Sequence, residues 1–95
     1  MTENMKKIGL GDLCEAIMTL ASADECAAFF EDLCTMNELR AMVQRLQVAK
    51  KLAENESYAK IADETGVSSA TISRVNRCLQ YGDGGYRTVL DRLGK

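Results

Sequence analysis

The start of one predicted helix carries short side chains that suit contact with DNA bases. Serine hydroxyls can donate to or accept from several base edges, and an alanine methyl group can touch the methyl group of thymine. Because these side chains are short, the helix that carries them can enter the major groove deeply. The free N–H groups at the start of a helix also favour a phosphate. The residues that we predict to face DNA are Ser68, Ser69, Ala70 and Ser73.

Candidate phosphate contacts lie on both sides of this group. A tyrosine and a lysine precede it, and an arginine follows it by a few residues. Such side chains bind the DNA backbone and set the affinity and its salt dependence. From Thr65 to Gly82 the chain has two arginines and no acid, which favours a polyanion as partner. The predicted phosphate contacts are Tyr58, Lys60 and Arg77.

The composition does not favour an enzyme. The chain has no histidine, which is the usual general base near neutral pH, so neither a Ser-His-Asp nor a Cys-His set can form. The segment Gly82-Asp83-Gly84-Gly85 follows a predicted helix rather than a strand. We therefore interpret it as a connector and not as a phosphate-binding loop. We expect no catalytic residue and no enzyme activity.

The chain has four cysteines, and none of them forms a C-x-x-C pair. Without histidine they cannot build a mixed zinc site. One of them, Cys26, shares an apolar stripe with Phe29 and Leu33. We predict free, buried thiols in a reducing compartment, with no metal and no disulfide. The four residues are Cys14, Cys26, Cys34 and Cys78.

A helix-turn-helix from about Ser57 to Gln80 must position the DNA-reading residues. We predict that serines cap both helices and that Gly66 takes the left-handed turn between them. Two apolar residues fill the wedge between the helices, and one small residue lets them cross. Three more anchor the second helix from beneath at positions i, i+3 and i+7. The wedge residues are Ile61 and Val67, the small residue is Ala62, and the anchors are Ile72, Val75 and Leu79.

Apolar residues recur at helical spacing along the whole chain, so we predict an all-α fold of six helices. Capping-box spacing marks two helix starts, Ser22 with Glu25 and Thr35 with Glu38. The predicted helices cover about 11–21, 22 onward, 35–54, 57–65, 68–80 and 86–93. We expect the third helix to bury one face, either within the chain or partly between two subunits, and this face consists of Leu39, Met42, Val43, Leu46, Ala49 and Ala53.

The length of 95 residues suits one domain. The first residues do not form a secretory signal, so we expect a cytoplasmic protein without a membrane partner. Residues 1–36 carry two basic and seven acidic residues, whereas residues 37–95 carry ten basic and seven acidic ones. We interpret the acidic part as a scaffold and the basic part as the side that faces a polyanion.

Three segments carry a resemblance to a known family: Thr35-Met36-Asn37-Glu38-Leu39-Arg40-Ala41-Met42 with Arg45, then Ile61 to Gly66, then Ala70-Thr71-Ile72-Ser73-Arg74. With these segments, the chain from Thr35 to Gln80 resembles the tryptophan repressor superfamily, and more closely its TrpR-like (YerC/YecD) branch. The resemblance implies a single TrpR-like domain over residues 1–95, with a helical dimerisation scaffold at 1–56, the helix-turn-helix at 57–80 and a C-terminal helix at 86–95. It also implies an intertwined homodimer on a palindromic operator in double-stranded DNA; the Trp repressor is itself a well-known example of this docking.

The resemblance further implies a ligand site. In the family, the corepressor tryptophan lies between two arginines and near a threonine of the partner chain, and the matching residues here are Arg45, Arg74 and Thr35. The arginines would stack on a flat ligand or pair with its carboxylate. Alternatively, they make only surface ion pairs or phosphate contacts, and Thr35 is only a helix cap.

Two departures from the family's pattern lie in this ligand site. Val75 replaces a glycine, and Cys78 replaces a serine that helps to hold the amino group of the ligand. Valine would intrude on the ligand, and cysteine is a weak hydrogen-bond partner. We therefore expect no response to tryptophan; a different small corepressor, or no cofactor at all, stays open.

The sequence thus predicts a sequence-specific DNA-binding transcription regulator that acts as a homodimer, with repression as the implied role. The alternative is a helical protein-interaction module that has lost DNA binding. The acidic N-terminal part favours the alternative, while the acid-free stretch and the short polar side chains favour the regulator.

Overall fold

Seven α-helices and no strands form residues 1–94, which are the residues that the computed structural model describes. The all-α class is confirmed. None of the helices in this range is both long and apolar enough to cross a lipid bilayer. Lys95, at the end of the predicted C-terminal helix, lies outside the described residues. The helices are α1 Glu3–Lys7, α2 Leu10–Met18, α3 Ala23–Leu33, α4 Met36–Ala53, α5 Tyr58–Thr65, α6 Ser69–Tyr81 and α7 Gly85–Leu93.

The predicted count of six helices is wrong because α1 was not expected. Thr2 caps this helix, since its Oγ1 accepts a hydrogen bond from the Met5 N–H at 3.2 Å. A helix of five residues is too short to show an apolar period, so the pattern could not reveal it. The next helix, α2, ends at Met18, three residues earlier than its predicted end at Ala21.

The chain divides into two compact units, one from Met1 to Leu39 and one from Arg40 onward, so that the division falls inside α4. The first unit contains α1 to α3 and the start of α4. The second contains the rest of α4 and α5 to α7, and thus the whole helix-turn-helix. The arrangement of scaffold, helix-turn-helix and C-terminal helix in one domain stays a prediction.

In the first unit, no residue is buried when the chain is taken alone. Ser22 caps α3 as predicted, because its Oγ accepts from the Glu25 N–H at 3.1 Å. The Glu25 carboxylate accepts from the Ala21 N–H at 2.7 Å, one residue before the one expected for a capping box. Large apolar side chains stay in contact with solvent, with Met18 84% and Leu33 51% exposed. The apolar stripes of these helices therefore lack a cover in the isolated chain.

All four cysteines are free, as predicted, but none of them is buried. Cys14 and Cys78 are exposed, and Cys26 and Cys34 are partly exposed. The prediction of buried thiols is therefore wrong for the isolated chain. The prediction assumed that the apolar stripes of the helices are buried, but in the isolated chain these stripes are in contact with solvent.

The second unit contains the apolar core. Residues of α4, α5, α6 and the turn between α5 and α6 form one buried cluster, against which α7 packs with Tyr86 and Leu90. Leu79 of α6 is also buried, at 5% exposure. Burying an aliphatic side chain contributes about 1.5–3 kcal/mol, so this cluster is the main source of stability in the unit. The cluster consists of Val48, Ala49, Ile61, Val67, Ile72 and Val75.

In the single chain, the predicted core face of α4 is mostly uncovered, and its burial between two subunits stays a prediction. Of its members only Ala49 is fully buried, whereas Val43 is 54% and Leu46 37% exposed. The fully buried neighbour is Val48, which the prediction omitted. Consecutive helical residues differ by about 100° in direction, so α4 has two apolar sides. The helix-turn-helix covers the side of Val48 and Ala49.

The end of α4 is set by a Schellman arrangement. The Glu56 N–H donates to the Lys51 carbonyl at 3.1 Å, and the Asn55 N–H donates to the Leu52 carbonyl at 3.0 Å. Asn55 has a φ of 64°, the left-handed conformation that this motif needs. The chain then turns directly into α5.

Candidate nucleic-acid interface

The first helix of the motif is α5. Ser57 caps it as predicted, because its Oγ accepts from the Lys60 N–H at 3.2 Å. Ile61 is fully buried, and Ala62 packs partly buried against the same cluster. The apolar side of α5 thus faces the core, as the wedge prediction required.

The turn between the helices depends on Gly66 and on its neighbour Thr65. Gly66 has a φ of 71°, which confirms the predicted left-handed turn. Thr65 Oγ1 donates to the Ile61 carbonyl at 2.6 Å and accepts from the Val67 N–H at 3.2 Å. This hydroxyl therefore links the last turn of α5 to the residue that enters the core. Thr65 was not among the predicted residues, although a threonine directly before the turn glycine was a visible signal.

The second helix, α6, is anchored from beneath as predicted. Ile72, Val75 and Leu79 are 0%, 1% and 5% exposed. Ser68 caps the helix, because its Oγ accepts from the Thr71 N–H at 3.2 Å and donates to Thr71 Oγ1 at 3.1 Å. The orientation of α6 is thereby fixed by one buried side and one capped end.

The opposite side of α6 carries the residues predicted to read DNA. Ser69, Ala70 and Ser73 are exposed and lie within the first turns of the helix. Ser68 is exposed too, but its hydroxyl takes part in the cap, so a base contact would compete with that role. Arg74 and Arg77 lie further along α6, and both are exposed.

The two predicted phosphate contacts on α5 differ in their surroundings. Tyr58 is 41% exposed at the first position of the helix. The side chain of Lys60 is 63% exposed, but its Nζ lies 3.6 Å from Glu56 Oε1 and 3.8 Å from Glu64 Oε1. Two carboxylates thus partly neutralise the lysine that was expected to bind phosphate.

The predicted ligand residues are placed as follows. Thr35 lies in the first unit and forms the predicted capping box: its N–H donates to Glu38 Oε1 at 2.8 Å, and its Oγ1 accepts from the Glu38 N–H at 3.2 Å. The backbone N–H of Thr35 holds the pKa of the Glu38 carboxyl below its usual value. Arg45 of α4 and Arg74 of α6 are both exposed in the second unit.

Val75 and Cys78 have different environments. Val75 is 1% exposed and belongs to the same buried cluster as Val48 and Ala49. Its side chain thus packs inside the core, whereas Arg74 is exposed, and the intrusion of Val75 on a ligand stays a prediction. Cys78 is exposed and lines an open groove of about 630 Å³ together with Leu46, Tyr86 and Val89, a groove that neither Arg45 nor Arg74 lines.

A buried anchor side, a glycine turn and an exposed polar start of the second helix define the class of helix-turn-helix proteins. Within this class, residues 9–94 match the profile of the family described as Trp repressor protein. The chain belongs to this family, whose members are regulators rather than enzymes. Membership supports transcription regulation and DNA binding in general.

Relatives agree with this assignment. The chain is 51% identical to the uncharacterised protein YerC of Bacillus subtilis strain 168 over 84 residues, which span 88% of this chain and 81% of YerC. This confirms the predicted TrpR-like branch.

Two solved structures share the fold. A TrpR-like protein from Eubacterium eligens ATCC 27750 has a TM-score of 0.92 at 48% identity, and the match covers 98% of this chain and 96% of that one. A protein from Staphylococcus aureus, provisionally described as a Trp repressor, has a TM-score of 0.89 at 46% identity with the same coverage.

We expect Gly66→Ala to destabilise the protein by about 1–2 kcal/mol, because a Cβ is strained at positive φ even where nothing crowds it. Gly85→Ala is the matched control. A Cβ there also meets no atom, but its φ is not in the left-handed range and the residue lies in α7, so this change should not destabilise. Urea denaturation at one fixed protein concentration measures both. Equal stabilities of the two variants would contradict the assigned role of Gly66.

Proposed function

We propose that this chain is a sequence-specific DNA-binding regulator that represses transcription. It acts as a homodimer, and each chain contacts DNA through α5 and α6. The observation that carries the proposal is the division of α6 into two sides. Ile72, Val75 and Leu79 are buried, so the side chains that remain at the start of α6 are short, polar and exposed. The provisional description of the Staphylococcus aureus relative as a repressor supports the direction of regulation.

In the proposed complex, the start of α6 lies in the major groove. Ser69 and Ser73 contact base edges, and Ala70 contacts a thymine methyl group. Arg77 and Tyr58 bind phosphates, and the positive end of the α6 dipole adds to this attraction. Because the side chains are short and few, ordered water and the shape of the DNA carry part of the sequence preference.

Uncovered apolar surface supports the homodimer. Large apolar side chains of α2, α3 and α4 are exposed in the single chain, among them Met18, Leu33, Met36 and Val43. Exposed apolar surface of this kind marks a contact with another molecule. A symmetric pair of chains presents two α6 helices, which fits a palindromic operator with half-sites about 34–36 Å apart.

Repression by this chain is proposed to need no tryptophan. The supporting observation is Val75, which stands where the family has glycine and is buried in the core, so that α6 is anchored by its own packing without a ligand. At Cys78 the sulfur offers a weaker hydrogen bond than a hydroxyl would. The two exposed arginines, Arg45 and Arg74, are then free to serve as phosphate contacts.

We expect Ser69→Glu to lower the affinity for DNA about tenfold or more, because the new carboxylate meets phosphates and base edges. The fold should persist, since an acid in the first turn of a helix is favourable. Fluorescence anisotropy with fragmented genomic DNA measures the affinity, and circular dichroism measures the helix content.

The control for this variant is Thr88→Glu, which makes the same change in charge at an exposed position of α7. It should bind DNA nearly as well as the unchanged protein. If both variants lost affinity equally, net charge alone would account for binding, and α6 would not be the reading helix.

We expect isothermal titration calorimetry to show no tryptophan binding tighter than about 1 mM. DNA affinity should be the same with and without tryptophan. Micromolar binding of tryptophan to the pure protein would overturn this part of the proposal and would assign Arg45 and Arg74 to the ligand.

A further inference from the structure

Four charged side chains form a closed ring between α4 and α5, which we call the charge ring: Lys51, Glu56, Lys60 and Glu64. Lys51 Nζ lies 2.7 Å from Glu64 Oε2 and 3.8 Å from Glu56 Oε1. Lys60 Nζ lies 3.6 Å from Glu56 Oε1 and 3.8 Å from Glu64 Oε1. Each lysine thus lies between the same two carboxylates, and each carboxylate between the same two lysines.

The charge ring is more than a set of solvated surface pairs. The side chains of Lys51 and Glu56 are only 24% and 15% exposed. Glu56 Oε1 is shielded from solvent and has no hydrogen-bond partner within residues 1–94, so the two ammonium groups are what balances its charge. The hydrogen bond between Lys51 and Glu64 lowers the pKa of the Glu64 carboxyl and raises the pKa of Lys51. Both groups therefore stay charged near neutral pH.

The location of the ring suggests what it does. Lys51 belongs to the last turn of α4, Glu56 directly precedes the cap of α5, and Glu64 lies in the last turn of α5. The apolar contact between the same helices lies elsewhere, where Ile61 joins the cluster of Val48. Glu56 precedes the cap of α5 and Glu64 lies in its last turn, so the ring holds both ends of the helix and resists its tilting about the apolar contact. Because α6 follows α5 after a tight turn, the direction of α5 also sets that of α6.

We propose that Glu64 is a positioning residue for DNA binding: through Lys51 and the charge ring it holds the helix-turn-helix in the orientation that docks on DNA. Lys60 acts within the ring and not as a phosphate contact. This inference rests on the proposed DNA-binding function.

The direction in which DNA affinity changes when Glu64 loses its charge distinguishes the proposal from simple repulsion between an acid and DNA. Removing an acid from a protein that binds a polyanion reduces repulsion and ordinarily tightens binding. The proposal predicts the opposite at Glu64, because the loss of its charge releases α5. Asp63 is the matched control, since it is an exposed acid one residue away on the same helix and outside the ring.

The experiment compares DNA affinity by anisotropy, at two salt concentrations, for the full chain and its variants. Glu64→Gln should weaken binding about threefold or more, the size expected when one ion pair is lost. Asp63→Asn should bind as tightly as the unchanged protein or more tightly. Lys51→Met should weaken binding as Glu64→Gln does, and the double variant should be little worse than either one.

Two further variants test the proposal even if the ring variants lose stability. Lys51→Arg retains the charge and should bind within about twofold of the unchanged protein. Lys60→Met should leave the slope of log affinity against log salt unchanged, whereas loss of a phosphate contact would reduce it by about one. Thermal melts of each variant record the effect on stability.

Tighter binding by Glu64→Gln, or a slope reduced by one in Lys60→Met, would overturn the inference and leave DNA binding itself intact. A loss for Lys51→Arg as large as for Lys51→Met would overturn it as well. If the unchanged protein bound no DNA at either salt concentration, both the proposed function and this inference would be wrong.

Discussion

Ile72 and Val75 of α6 are buried in one cluster with Val48 and Ala49 of α4 and with Ile61 of α5, and this burial decides which side of α6 meets solvent. A helix of 13 residues would be only marginally stable alone, so its orientation comes from this packing. The caps and the turn refine the arrangement, because Ser68 fixes where α6 begins and Thr65 fixes the path into it. The short, exposed side chains at its start are therefore presented on a rigid support.

In the proposed function, the same packing would also determine whether DNA binding depends on a ligand. Val75 is buried at 1% exposure and lies directly after Arg74, which only matches in position one of the two arginines that hold the corepressor in the wider family. A side chain that completes the core at this position stabilises α6 without any ligand. The core, together with the charge ring, would then hold α6 in the orientation that binds DNA. Such a regulator would bind DNA whether or not tryptophan is present. The protein's own packing would then hold α6 in place, as a bound ligand could otherwise do.

The sequence predicted those parts of the fold that depend on local rules. The anchors of α6, the glycine turn and the serine caps follow from helical spacing and backbone chemistry, and the structure confirms them. The buried side of α4 could not be read in this way, because both Val48 and Val43 lie on apolar sides and only the neighbouring helices decide which one is covered. The spacing of Glu56, Lys60 and Glu64 was visible, but the contribution of Lys51 depends on how α5 folds back against α4.

The proposed function requires that the exposed start of α6 reads DNA without a corepressor. Selection of genomic fragments by the purified protein, at low and moderate salt, tests it most directly when parallel reactions contain buffer alone or tryptophan. We expect a palindrome with half-sites about one helical turn apart to be enriched in buffer alone, and equally with tryptophan. Enrichment in neither reaction, at either salt, would contradict the account and would favour a helical protein-interaction module.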